Sequence, residues 1–352
     1  MRNFFKIIFI NFVVFFSLFL CLEILSRAYL ISKSCMRSVC QWEYASMNVL
    51  TENPAIQFVA PHPKLGYVNT AGFNSIVKTD GWDNVRVTID ENGYRENDNF
   101  ELDFDDKSYL MIGGGLVFGN KVGNNQTVPA CLERNLGSKV YNAGVSLYAP
   151  SQSILKLLLN EKRLNYDAIL WSILVENDFS IDQKSIVANL SKPVVTNIGG
   201  ELKYEFPSQI ELPNRDLRYF LGYSVILKRF ILPLFQEKDF VYDGVYELQH
   251  SNAADPYEIL DFIMSDFKKI PANVNKYIIL QYNSAIFYNK AFLQIKATKE
   301  NIIKYVNKHD IRIIDTFDAV YKKEQRFKLW DGYHTAYGNE VVCNYVYNKL
   351  KE

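Results

Sequence analysis

Asp331 and His334, three residues apart near the C-terminus, can together move a proton. An imidazole is the general base of neutral pH, and a nearby carboxylate can hold its tautomer and steady the imidazolium as it forms. Three further blocks stand directly after apolar runs: Gly113-Gly114-Gly115, Asn142-Ala143-Gly144 and Glu176-Asn177-Asp178. The backbone N–H groups of Gly115 and Gly144 and the side-chain amide of Asn177 would give three hydrogen-bond donors to an oxygen gaining negative charge, which is what acyl transfer demands. Taken singly, these are turn glycines, a turn asparagine and a loop histidine with a capping aspartate. Taken together, they describe an oxyanion hole beside a general base. Asp178 reads as a brace for the loop that presents Asn177, and Glu176 as a solvated charge or a ligand for a hydroxyl. His62, His250 and His309 lack such neighbours and read as structural or surface residues.

The elements that must position these blocks are legible from hydrophobic period. Apolar strands are predicted at 109–112, 140–142, 168–173, 277–280 and 311–314, and helical periodicity falls between them at about 127–136, 151–163, 257–269, 298–308 and 338–350. Strands without polar alternation, separated by helices, imply an α/β fold with a doubly wound, mainly parallel five-stranded sheet in three layers. Right-handed crossovers then bring all the strand C-termini, and so all four blocks, to one edge. Residues 180–256 interrupt the alternation. They hold a predicted hairpin over 193–204 turning at Gly199-Gly200 and an apolar helix at roughly 214–235, an insertion that either caps the pocket or packs beside the sheet.

The chain before residue 108 has another character. Between Lys6 and Glu23 no charge occurs, so residues 1–28 read as a transmembrane anchor, with a secretory signal ending near Ser26-Arg27-Ala28 as the alternative. Arg2 and Lys6 favour an N-terminus held inside, against Arg27, Lys33 and Arg37 on the other side. Residues 29–107 are expected to form an irregular stalk to about 60 and then a small leading subdomain of short strands, with 108–352 as the main domain. The 39 basic residues equal the 39 acidic ones, which leaves no basic field to hold nucleic acid. No cysteine has metal-ligand spacing, and no cofactor is implied. Cys35 and Cys40 are near enough in sequence to be bridged or to remain two free thiols, whereas Cys131 and Cys343 lie in apolar helical patterns and read as core residues.

In this order and at these strand ends, the four blocks resemble those of the SGNH (GDSL-type) hydrolases over residues 108–350. Leu65-Gly66-Tyr67 and Asn92-Gly93-Tyr94-Arg95 further resemble the leader region of envelope members of that family. The resemblance implies a flavodoxin-like three-layer fold, a site built from Gly115, Gly144, Asn177, Asp331 and His334, and a ligand that is an acyl ester, especially an O-acetyl ester, of cell-surface carbohydrate. It also implies a membrane-held protein whose soluble domain is extracytoplasmic. One departure is decisive for activity. The third residue of the first block, a nucleophilic serine in the family, is Gly115 here, and neither Ser108 nor Ser146 is placed to stand in. Three readings follow: slow hydrolysis by a water activated by His334, a pseudoenzyme that binds acylated glycan, or a structural envelope protein.

Overall fold

The computed structural model describes residues 2–35, 58–77, 84–99, 101–160, 166–187, 190–207, 224, 226–227, 248–283, 291–309, 311–321, 328–330 and 332–352. They fall into two units, one of Met1–Asn53 with Glu211–Tyr246, the other of Pro54–Ile210 with Glu247–Glu352.

In the first unit, helix α1 (Arg2–Cys35) contains a 23-residue apolar stretch, Lys6–Ala28, long enough to cross a bilayer. The helix runs on to Cys35, so the first residues of the expected irregular stalk are helical. Cys40 and most of the apolar segment at 214–235 lie outside the described residues.

The second unit opens with two antiparallel hairpins, β1 (Val59–His62) with β2 (Gly66–Asn69) and β3 (Asn74–Val77) with β4 (Val85–Thr88). The main domain then alternates as expected. Strand β5 (Asp105–Ile112) leads into the short helix α2 (Gly115–Phe118) and then α3 (Val128–Leu136), which Thr127 caps by accepting the Ala130 N–H. Strand β6 (Ser138–Asn142), helix α4 (Pro150–Asn160) and strand β7 (Ala168–Leu174) follow, and the short helix α5 (Asp178–Asp182) leaves the end of β7.

The insertion is made of β8 (Lys184–Val187), β9 (Leu190–Ser191), β10 (Val194–Ile198), β11 (Glu201–Glu205) and β12 (Leu248–Gln249). Strands β10 and β11 form the predicted hairpin, and Gly199 and Gly200 at its turn have φ of 65° and 88°. Strands β12, β8 and β9 make a small antiparallel sheet that was not foreseen. Helix α6 (Pro256–Lys268), strand β13 (Asn275–Gln281), helix α7 (Ala291–Asn307), strand β14 (Arg312–Asp315), helix α8 (Phe317–Tyr321) and helix α9 (Ala336–Lys351) complete the chain.

The main sheet has the order β14-β13-β7-β5-β6 with every pairing parallel. Counted along the chain this is 2-1-3-4-5, a doubly wound sheet with its switch point between the first and third strands. The period of two in β7 explains the three layers. Ile169, Trp171 and Ile173 face a core shared with α4, α6 and α7, where Trp171 meets the ring edge of Phe267, while Ala168 and Leu170 face a second core shared with α3 and α9. Each large aliphatic or aromatic side chain so buried contributes about 1.5–3 kcal/mol.

On that second face Cys131 of α3 and Cys343 of α9 form a disulfide across 212 residues of sequence. Their apolar helical patterns predict core residues. They are buried and also bridged.

Candidate active site

All the sheet's C-terminal ends lie on one edge, and the first and third blocks meet there around a cavity of about 50 Å³. Gly114, Gly115, Asn177, Asp178 and Tyr333 line it, with Leu116, Leu147, Leu174 and Ile181 as its apolar wall. At roughly 15 Å³ per water this space holds about three waters, or an acyl group of two or three heavy atoms.

Gly115 begins helix α2. A Cβ built there would stand 2.7 Å from Asn120 Nδ2 and 2.9 Å from Tyr333 Cε1. Asn120 is itself held: its Nδ2 donates to Ser146 Oγ at 2.9 Å. The place where a nucleophile's side chain would begin is therefore filled by an anchored amide and an aromatic ring. Burial pushes the Tyr333 phenol above its ordinary pKa, so it stays neutral.

Asn177, at the end of β7, is exposed and lines the cavity. Asp178 braces that turn by accepting the Leu174 N–H at 2.8 Å. Burial lifts its carboxyl well above the usual range, with the charges of Asp182 and Glu176 adding to the shift. Gly144 is placed differently from the expectation. Its N–H donates to Asn142 Oδ1 at 3.2 Å, its carbonyl accepts from Asn69 Nδ2 at 2.9 Å, and a Cβ would come within 2.4 Å of Phe118 N. It lies packed behind the cavity wall and does not line the cavity. Glu176 also differs: it is half-buried, accepts the Asn283 N–H, and burial raises its pKa to about 7.

His334 is buried, with Nε2 3.3 Å from the Tyr282 carbonyl and its ring edge-on to Trp330 at 5.1 Å. Nδ1 has no hydrogen-bond partner among the described residues, and the ring is not part of the cavity wall. Asp331, its expected partner, lies outside the described residues. Tyr333, adjacent to His334, is the residue that sequence reasoning missed. The only signal for it was its position in the last block, because nothing local says where its ring points.

Burial holds the imidazole neutral and draws its pKa from 6.5 to about 4. Between those values the unfolded chain binds a proton that the folded chain does not. Stability from this group is thus complete above pH 6.5 and is lost as pH falls toward 4, by up to about 3 kcal/mol. In thermal melts, H334Q is expected to lose less midpoint temperature than the wild type between pH 7 and pH 4.5. Parallel pH profiles for the two proteins would contradict this.

The order 2-1-3-4-5 with glycine and asparagine blocks at the first and third strand ends decides the fold. It is SGNH-like. No family model matches the chain, and no curated protein matches it. Solved structures similar to this chain include a member of the lipolytic G-D-S-L family from Veillonella parvula DSM 2008, with a TM-score of 0.42 at 11% identity, covering 70% of this chain and 99% of that one. A lipase/acylhydrolase from Enterococcus faecalis gives a TM-score of 0.40 at 10% identity, covering 70% and 95%. A catalytic mutant of Axe2, an acetylxylan esterase from Geobacillus stearothermophilus, gives 0.38 at 11% identity, covering 71% and 96%.

Proposed function

We propose that this chain is a membrane-anchored, non-hydrolytic member of the SGNH type that binds a small acyl ester, an O-acetyl group on cell-surface carbohydrate, without cleaving it by a serine mechanism. One observation carries the reading: the room for a side chain on Gly115 is taken by Asn120 and the Tyr333 ring. A covalent acyl intermediate needs an atom at that place, and glycine offers none. The cavity volume supports a short acyl group, and Asn177 at its rim offers a side-chain amide to a carbonyl oxygen. The apolar α1 supports anchoring, and the Cys131–Cys343 bridge supports an oxidising, extracytoplasmic setting for the domain.

Binding is tested by thermal shift. An acetylated xylo-oligosaccharide is expected to raise the melting temperature where its deacetylated form does not, and equal shifts would reject acyl recognition. Catalysis is tested with p-nitrophenyl acetate. The wild type is expected to release acetate no faster than H334A, and faster release would overturn the non-hydrolytic reading. Gly115→Ser alone is expected to stay inactive, because its Cβ meets Asn120 and Tyr333. Gly115→Ser combined with Asn120→Ala and Tyr333→Ala frees the place of both the amide and the ring, and esterase activity is expected only in that triple variant. Activity in the single variant would show that the ring does not block the position.

A further inference from the structure

An acyl carbonyl in the cavity is short of one expected donor, because the Gly144 N–H is spent on Asn142 Oδ1 at 3.2 Å. Asp178 lines the same cavity beside Gly114, Gly115 and Asn177, and only 7% of it is exposed. Its two oxygens differ. Oδ2 accepts the Leu174 N–H at 2.8 Å, whereas Oδ1 takes no hydrogen bond among the described residues and is not enclosed by protein.

The groups around Asp178 decide its form. Glu176, two residues back at the end of β7, and Asp182, four residues on in α5, are both acids that oppose a charge on it. Lys192, whose charge bears on Asp182, has its ammonium held by the Ile181, Lys184 and Pro193 carbonyls at 3.2, 3.0 and 3.0 Å. The Tyr333 phenol, also in the cavity wall, stays neutral. No cation pairs with Asp178 among the described residues. A carboxyl with acids for neighbours, little water and no cation keeps its proton. In that form one oxygen accepts and the other donates. The Leu174 N–H claims Oδ2 as the acceptor, so the hydroxyl is Oδ1, the oxygen left open.

We propose that Asp178 binds the ligand as a carboxylic acid, its Oδ1–H donating to the carbonyl oxygen of the acyl group beside the Asn177 amide. The inference rests on the proposed binding of an acyl ester, and it adds a preference: a neutral ester is accepted, while a free carboxylate meets Asp178, Glu176 and Asp182 and is rejected.

Infrared difference spectra of the full chain in detergent micelles test the donor role. At neutral pH a protonated-carboxyl band absent from Asp178→Asn is expected. An acetylated xylo-oligosaccharide is expected to shift that band, and its deacetylated form to leave it in place. Asp178→Asn keeps an oxygen for Leu174 and puts an amide donor where the hydroxyl was, so its affinity by calorimetry is expected within about threefold of the wild type. Asp178→Leu, which has no donor, is expected to bind roughly tenfold more weakly. The infrared shift does not depend on the leucine variant folding. A band missing from the wild type, or one that the acetylated ligand does not move, overturns the donor role. So does an Asp178→Asn variant that binds as poorly as Asp178→Leu. A wild type that binds the acetylated and deacetylated forms alike rejects acyl recognition itself, and the inference with it.

Discussion

Arg95→Ala is expected to lower the stability of the main domain by about 3–5 kcal/mol. The side chain is only 1% exposed. Its Nη1 donates to the Phe118 and Gly119 carbonyls at 2.8 and 2.6 Å, its Nη2 to the Val122 carbonyl at 2.6 Å, and its Nε to Asn124 Oδ1 at 3.0 Å. The guanidinium also lies over the Phe118 ring at 4.9 Å. Alanine would leave the Val122 carbonyl without a donor and the Phe118 and Gly119 carbonyls with only long contacts, from Asn142 Nδ2 at 3.5 Å and the Val122 N–H at 3.4 Å, in the turn that sets Gly115 and Asn120, and each weakened or orphaned group costs about 1–3 kcal/mol. Lysine would not repair the loss, because one ammonium cannot reproduce the planar fork. Burial lowers the Arg95 pKa to about 9, against the pull of Asp98, and the group still stays charged at neutral pH. Urea unfolding of Arg95→Ala and Arg95→Lys checks this. A loss under 1 kcal/mol in the alanine variant would mean that the loop holds itself.

The second large effect belongs to the disulfide. Closing a loop of 212 residues removes unfolded-state entropy worth about 5 kcal/mol in a chain-entropy treatment, within the 2–5 kcal/mol usually lost when a native bridge is removed. A double Cys131→Ser, Cys343→Ser variant, or the wild type under a strong reductant, is expected to melt roughly 10 °C lower. The damage should concentrate on α9, whose Cys343 is fully buried against the sheet while Asn135 Nδ2 holds Asn344 Oδ1 at 2.9 Å. Calorimetry with and without reductant decides the point, and an unchanged melting temperature would mean the bridge contributes nothing to the fold.

Strands such as Ala168–Leu174 were legible because burial on both faces leaves an unbroken apolar run, and the blocks were legible because glycine and asparagine follow those runs directly. The ring of Tyr333 was not, since its direction is set by tertiary packing against Gly115. Nor was the pairing of Cys131 with Cys343, because loop closure over such a distance leaves no local trace. The placement of Gly144 had a local signal that went unused. An asparagine two residues upstream commonly accepts the N–H two residues on, and Asn142 does so here, taking a donor that had been assigned to a ligand. Glu176 misled for the opposite reason: its charge suggested solvent, while the chain folds it against the Asn283 amide.

The Cys131–Cys343 bridge has one more consequence. It closes a covalent ring that contains β6, β7, β13, β14 and the whole insertion, leaving outside it only the last residues of α9 and everything before α3's midpoint. A protease that cuts once inside this ring opens it without freeing a fragment. Both pieces stay tied to residues 1–130 until a reductant acts, so nicking alone does not shed the domain from whatever holds its N-terminus.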